Sequence, residues 1–220
     1  MPNQADRDKG EQRSKPSRPH SYKESAKRRQ TKQENKRTIE QAAWDIFSRK
    51  GFDASTNRDI ISSSGVSPGT FYSYYGSKEA IFRDVLASLV EKIRVASHDA
   101  RMREGSIEDR LRISFRVFLE LIASLPQGRS FCERNQHHIR DILYREGIIG
   151  GIISDMRDDY KTEIITGMPP EEEMLIVRLI FAVGLEAALL LSSNEELDAR
   201  RVSDLSSKFA LFGLNFWATK

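Results

Sequence analysis

From residue 38 onward, apolar side chains in this 220-residue chain return at spacings of three and four, and no run of strict alternation appears. Such spacing lays one apolar stripe along a helix, whereas a half-buried strand needs period two. Ile39, Ala42, Ala43, Ile46 and Phe47 set the pattern and predict a first helix over about 33–50, stopped by Gly51. The fold class that follows is all-α, with about nine helices divided between a small three-helix head and a larger helical body.

Punctuation along the chain divides it further. Thr56 offers a helix N-cap with Asp59 three residues on, and the short helix it starts ends at Gly65. Ser67 caps the next helix with Pro68 in the favoured first position, and that helix closes near Gly76. Ser77 caps a long fourth helix whose apolar face is Ile81, Phe82, Val85, Leu86, Leu89 and Ile93. A fifth carries Leu111, Phe115, Phe118, Ile122 and Leu125 up to Pro126. Residues 128–167 predict two or three helices broken around Gly147, Gly150 and Gly151. Helices over 171–192 and 196–218 complete the chain, the last with Leu205, Phe209, Phe212 and Phe216 along one face.

Charge is unevenly placed. Residues 1–37 hold twelve Lys/Arg against five Asp/Glu, a local +7 within a whole-chain +3, which leaves −4 for residues 38–220. With Pro16, Pro19 and few apolar groups, residues 1–31 cannot bury enough surface to offset ordering entropy, and they read as a disordered basic tail. It is a solubilising segment or an arm that follows phosphates, with Arg28 and Arg29 able to enter a minor groove. It has no apolar run of the kind a secretory signal needs. The apolar stretch Met174–Leu191 is interrupted by Arg178 and Glu186, which argues for a buried helix and no membrane span. One cysteine, Cys132, excludes a disulfide framework and fits a reducing, cytoplasmic setting.

The informative stretch is Thr56–Lys78. A short helix, a turn on Gly65 and a second short helix from Ser67 make a helix-turn-helix over 56–75, with Ile60, Val66 and Phe71 turned to the core. The second helix then presents Ser67, Gly69, Thr70, Tyr72, Ser73 and Tyr74. Small and hydroxylic side chains allow close approach to base edges and supply donors to phosphates. The helix N-termini at Thr56 and Ser77 add backbone N–H groups suited to phosphate, with Lys78 beside the second.

In this register the run Gly51-Phe52, Thr56, Arg58-Asp59-Ile60, Ser64-Gly65-Val66-Ser67, Gly69-Thr70-Phe71-Tyr72, Tyr74-Tyr75 and Ser77-Lys78-Glu79 resembles the DNA-binding head of the tetracycline-repressor (TetR) family over about 33–93. Asn57 and Ile61 depart from that family's usual Val or Leu, and Ala. The resemblance implies that Thr56 and Arg58 meet the DNA backbone or a base where the motif begins. It further implies that Ser67, Gly69 and Thr70 face base edges, and that Tyr72, Tyr74 and Lys78 hold phosphates. It also implies a double-stranded operator as partner and a body over 94–220 that dimerises through 171–192 and 196–218. Phe71 and Tyr75 are expected in the core, with one of Tyr72 and Tyr74 packing only.

Within the body, Phe118 to Ile122, Pro126, Arg134, Val177, Ile180-Phe181, Gly184, Glu186-Ala187 and Phe216-Trp217 resemble the effector domain of fatty-acid-biosynthesis repressors of that family, which respond to long-chain acyl thioesters. A small apolar or amphipathic effector would then sit against Phe115, Phe118 and Phe181, with Arg134, Asn135 and His138 as polar anchors. The other reading is a constitutive, architectural DNA-binding dimer with no effector; a ligand-sized cavity among Phe115, Phe118, Phe131 and Phe181 counts against it. Cys132, Glu133, His137 and His138 match no zinc spacing, so no metal or cofactor is expected. A redox role for Cys132 would need a lowered thiol pKa, for which Arg129 or Arg134 is the candidate cause. Gly147, Gly150 and Gly151 lack dinucleotide-binding spacing, and no catalytic set appears.

Overall fold

The computed structural model describes residues 26–103, 105–160 and 167–218. Helix α1 spans Ala26–Lys50, α2 Asn57–Ser64, α3 Pro68–Tyr74, α4 Lys78–Arg101 and α5 Ile107–Ser124. Then come α6 Gly128–Arg134, α7 Gln136–Arg145, α8 Gly150–Tyr160, α9 Pro170–Ser193 and α10 Ala199–Ala218. Among the described residues there are thus ten helices rather than nine, because 128–160 resolves into three, and there is no strand.

Two sequence-based boundaries move. Helix α1 begins at Ala26, so residues 26–31 are helical and only 1–25 of the expected tail lie outside the described residues. Its first turns are exposed and need no apolar stripe. Lys, Arg, Gln and Glu are good helix formers, and Gln30 Nε2 donates to Glu34 Oε1 at 2.9 Å one turn on. Residues 26–37 carry six Lys/Arg against one Glu, so much of the basic charge rides on a helix. Gly150 and Gly151, expected in a break, form the first turn of α8; the break is at Gly147, whose φ is 69°.

Helices α1–α3 and the first half of α4 make the head. Helix α5 lies at the centre of the body, packed on α4, α9 and α10, while α6 joins α9 to α1. One buried cluster runs without interruption from Ile39 in α1 to Leu214 in α10. The link between head and body is aromatic. The Phe82 ring lies 5.0 Å from Phe47, 5.1 Å from Phe52 and 5.6 Å from Phe131, and Trp44 stacks on Phe131 at 4.2 Å. The Trp44 indole N–H also donates to the Pro126 carbonyl at 3.0 Å. Close approach of α6 to α5 requires Gly128, where a Cβ would stand 2.3 Å from the Ile122 carbonyl oxygen.

Helix α9 is long and apolar enough to cross a membrane by length and composition alone. Val177, Ile180, Gly184, Leu185 and Ala188 are nevertheless buried within the body, as expected of a core helix. The Phe216 and Trp217 side chains lie outside the described residues.

Because Phe82 is shared by both halves, Phe82→Ala is expected to lower stability by about 3–5 kcal/mol. In urea unfolding, head and body should remain one transition with a lower midpoint. A separate early transition of the head would show that the aromatic link does not couple them.

Candidate functional site

The helix-turn-helix is built by short-range hydrogen bonds that its sequence encodes directly. Thr56 Oγ1 accepts from the Asp59 N–H at 3.1 Å, and Asp59 Oδ2 accepts from the Thr56 N–H at 3.0 Å, closing a reciprocal capping box. Lys50 Nζ lies 2.7 Å from Asp59 Oδ1, and this contact, with the Thr56 hydroxyl next, holds the Asp59 carboxyl below its ordinary range. Gly65 ends α2 at φ 68°, a left-handed conformation that glycine adopts without a Cβ clash. Ser67 Oγ accepts from the Thr70 N–H at 3.1 Å, and the Ser67 and Thr70 hydroxyls are hydrogen-bonded to each other at 2.9 Å.

Helix α3 is held from behind. Phe71 is fully buried, and Tyr75 is buried with its hydroxyl shared between Glu40 Oε1 at 2.8 Å and Asp84 Oδ2 at 3.2 Å. Lys36 Nζ closes the cluster, 3.1 Å from Asp84 and 3.5 Å from Glu40. Burial first, then Glu40, push the Tyr75 phenol well above its ordinary pKa, so it stays a neutral donor. What remains outward is Ser67, Pro68, Gly69, Tyr72 and Ser73, with Thr70 half-exposed. Arg58 is exposed as well. Of the two tyrosines, Tyr72 is 55% exposed while Tyr74 is half-buried and packs partly against the core.

Lys78 is placed differently from its expected role on a phosphate. Its ammonium donates to the carbonyls of Phe52 (2.8 Å), Ser55 (2.9 Å) and Asp53 (3.3 Å), and it sits 4.4 Å from the centre of the Phe52 ring. All three N–H donors are spent on the α1–α2 connection, because that turn leaves its carbonyls pointing at the start of α4.

A second feature lies in the body. Helices α4–α9 line a cavity of about 110 Å³, with Phe115, Phe118 and Phe181 on its wall as anticipated. Phe131 does not line it and faces the head instead. The expected anchors Arg134, Asn135 and His138 are likewise absent from its wall, because the α6–α7 junction turns them toward the head. Asn135 is buried there; Oδ1 accepts from the Phe52 N–H at 2.7 Å, and Nδ2 donates to the carbonyls of Phe47 (3.1 Å) and Phe131 (2.7 Å). His138 Nε2 lies 3.0 Å from Asp53 Oδ1, with its ring 4.3 Å from Phe52. The Arg134 side chain is exposed, and its carbonyl backs onto Gly51, where a Cβ would come within 3.3 Å. Gly51 also has φ 76°, so both conformation and space call for glycine.

The polar groups that do line the cavity are Arg94, Ser97, Arg101, Ser114, Asp155 and Tyr160. A signal for two of them was present: Ser97 and Arg101 continue the register of Leu86, Leu89, Val90 and Ile93 into a core-facing position. Cys132 lines the cavity too, and burial pushes its thiol up to about 12, which leaves it protonated and unsuited to redox sensing. Arg129 donates to the carbonyls of Leu191, Asn194 and Leu197, closing the end of α9.

Residues 39–85 match the family of bacterial regulatory proteins named for tetR. The head belongs to the TetR family. Its curated relatives are transcriptional regulators rather than enzymes. The HTH-type transcriptional regulator YfiR of Bacillus subtilis is 42% identical over 48 residues, covering 22% of this chain and 23% of that protein. YdgC of the same organism is 30% identical over 87 residues, covering 39% of this chain and 43% of that one. The chain thus matches less than half the length of these relatives. Solved structures extend the likeness to the fold of the body. The fatty acid degradation regulator FadR of Bacillus halodurans superposes with a TM-score of 0.69 at 15% identity, covering 80% of this chain and 94% of that one. FadR of Bacillus subtilis, solved with stearoyl-CoA, gives 0.67 at 17% identity, covering 79% and 96%.

Lys78→Ala strips three carbonyls of the TetR-type head of their donor and is expected to cost about 2 kcal/mol in chemical denaturation. The salt slope of DNA binding by the folded variant should match that of the unchanged protein. A slope reduced by about one phosphate contact would place the ammonium on DNA.

Proposed function

We propose that this protein is a cytoplasmic, homodimeric transcriptional regulator, acting as a repressor, whose heads read a palindromic operator and whose body responds to a small apolar or amphipathic effector. The observation that carries the DNA-reading part is the outer face of α3. Phe71 and Tyr75 fix the helix from behind, while Ser67, Gly69, Thr70, Tyr72 and Ser73 stand outward with no bulky side chain near the N-terminal turn. A helix so built can lie deep in a major groove, with Gly69 and Thr70 against base edges and Tyr72 and Arg58 toward phosphates. The basic first turns of α1 add charge that favours any DNA.

Dimerisation is supported by an apolar surface that one chain leaves uncovered. Leu205, Phe209 and Phe212 on α10 are 61%, 70% and 78% exposed at spacings of four and three. Leu175, Leu179 and Leu190 on α9 are also more than half exposed. A two-fold pairing of α9 and α10 with their copies would bury both stripes in a four-helix interface. Two heads on such a dimer would address successive major grooves about 34–36 Å apart, or a multiple of that.

The cavity favours an effector over a constitutive dimer. At about 110 Å³ it falls somewhat below the ~150 Å³ of an apolar cavity that admits benzene, so a longer chain must spread its walls. A ligand that binds a spread body better than a closed one shifts the equilibrium between them. Two elements carry that shift to the heads. Helix α4 runs from the head to the far end of the cavity, and α6 places Cys132 on the cavity and Asn135 on the head.

Leu205→Glu with Phe212→Glu should give monomers in sedimentation velocity at micromolar concentration and abolish operator binding. Thr70→Ala in the intact dimer should narrow the gap between operator and random DNA by about 1–3 kcal/mol. A monomeric unchanged protein, or a Thr70→Ala protein with full sequence preference, would overturn this reading.

A further inference from the structure

We infer that the end of the cavity farthest from the head is a subsite for a compact anion, a carboxylate carried on an apolar chain, and that Arg101 is its ligand. The inference rests on reading the cavity as an effector site and assigns the effector's chemical class. Along α4 the cavity wall extends from Leu86 to Arg101, about 22 Å at the rise of an α-helix. Its head end is walled by apolar side chains. Ser97, Arg101, Ser114 and Tyr160 line the other end, with the paired Arg94 and Asp155 about midway.

Arg101 is only 4% exposed, and its hydrogen bonding is incomplete. A guanidinium has five N–H donors. Here Nη1 reaches Ser114 Oγ at 3.4 Å, a long contact. Nε forms an ion pair with Asp159 Oδ2 at 2.5 Å, which offsets the charge but lacks hydrogen-bond alignment, so neither atom completes a hydrogen bond there. Ser114 Oγ already donates to the Arg110 carbonyl at 2.7 Å, so it can only accept from Arg101. Arg94, by contrast, has each of its three nitrogens hydrogen-bonded, to Glu91 and Asp155.

A core-facing position on α4 filled by a leucine would cost nothing of this kind. Asp159 offsets the charge, but a buried guanidinium with unmade N–H hydrogen bonds is still destabilising unless something completes its shell. A carboxylate is the natural complement, because its two oxygens match two parallel guanidinium N–H groups. Tyr160, almost fully buried on the same wall, is kept neutral chiefly by burial and brings a further O–H donor. Leu111 and Tyr160 on this wall are each 1% exposed, so the room beside Arg101 suits a small charged group rather than a bulky nucleotide. A thioester carbonyl has no charge to offer Arg101. The structure therefore points to free carboxylic acids rather than the acyl thioesters that the sequence resemblance implies.

The test uses the full chain without DNA and calorimetric titration with octanoate, methyl octanoate, octanol and octanoyl-coenzyme A. Octanoate should bind at least tenfold more tightly than the other three. Arg101→Met, which keeps the length and apolar stem of the side chain, should bring octanoate down to the affinity of the ester and leave the ester unchanged. Arg101→Lys should fall between. If the ester binds as well as the acid, or if Arg101→Met weakens both equally, the carboxylate subsite is wrong while the effector cavity stands. If none of the four binds, the effector reading fails and this inference with it. Should Arg101→Met not fold, the acid-to-ester ratio in the unchanged protein decides alone.

Discussion

Phe131 and Asn135, one turn apart on either side of the end of α6, join the two halves of the molecule. Phe131 inserts its ring between Trp44 of α1 and Phe82 of α4, and Asn135 gives its amide to backbone groups at the end of α1 and in the turn after it. The aromatic contact supplies buried area. The amide supplies direction, because its three hydrogen bonds are satisfied in one geometry only and are costly to leave unmade in a buried place. The head is therefore not tethered to the body only by the single helix α4. It is clamped at a second point by a short helix that also touches the cavity.

That second point matters for any coupling between cavity and DNA. A helix anchored at one end can bend without moving what lies beyond it, but α6 carries Cys132 on the cavity wall and Asn135 on the head within one turn. A shift of α6 cannot be absorbed by a loop between the two. Gly128 and Gly51 fit the same logic. Each removes a side chain where two backbones come within contact, α5 against α6 and the α1 turn against Arg134, so motion at the seam passes through backbone and not through flexible side chains.

The head and the body handle charge in opposite ways. In the head, Lys36, Glu40, Asp84 and Tyr75 form a cluster whose members complete one another, and Lys78 spends each N–H on a carbonyl. These groups stiffen the support of α3 and leave its outer face small and polar. In the body, Arg101 and Asp159 are brought together without completing their hydrogen bonds. A satisfied polar network specifies one structure, while hydrogen bonds left unmade in a buried place are costly.

Most of the head could be read from the sequence because its rules are local. The capping box of Thr56 and Asp59, the left-handed Gly65, the Ser67 cap with Pro68, and the inward Ile60 and Phe71 each depend on neighbours within four residues, which spacing alone specifies. The wall positions Phe115, Phe118 and Phe181 were legible for the same reason, as members of helical stripes. Arg134, Asn135 and His138 were placed on the wrong surface because the rotation of the α6–α7 junction is set by the docking of Phe131 onto Trp44 and Phe82, more than forty residues away in the chain. Lys78 likewise turns inward because the α1–α2 carbonyls lie beside it in space, some 25 residues distant. The residue sequence determined the helices, their caps and the small-residue face of α3, since those follow from hydrogen bonds and periodicity along one segment. Only the packing of segments against each other decided which charged groups stand outward, which face the seam and which are buried, because burial and pairing are properties of the assembled helices.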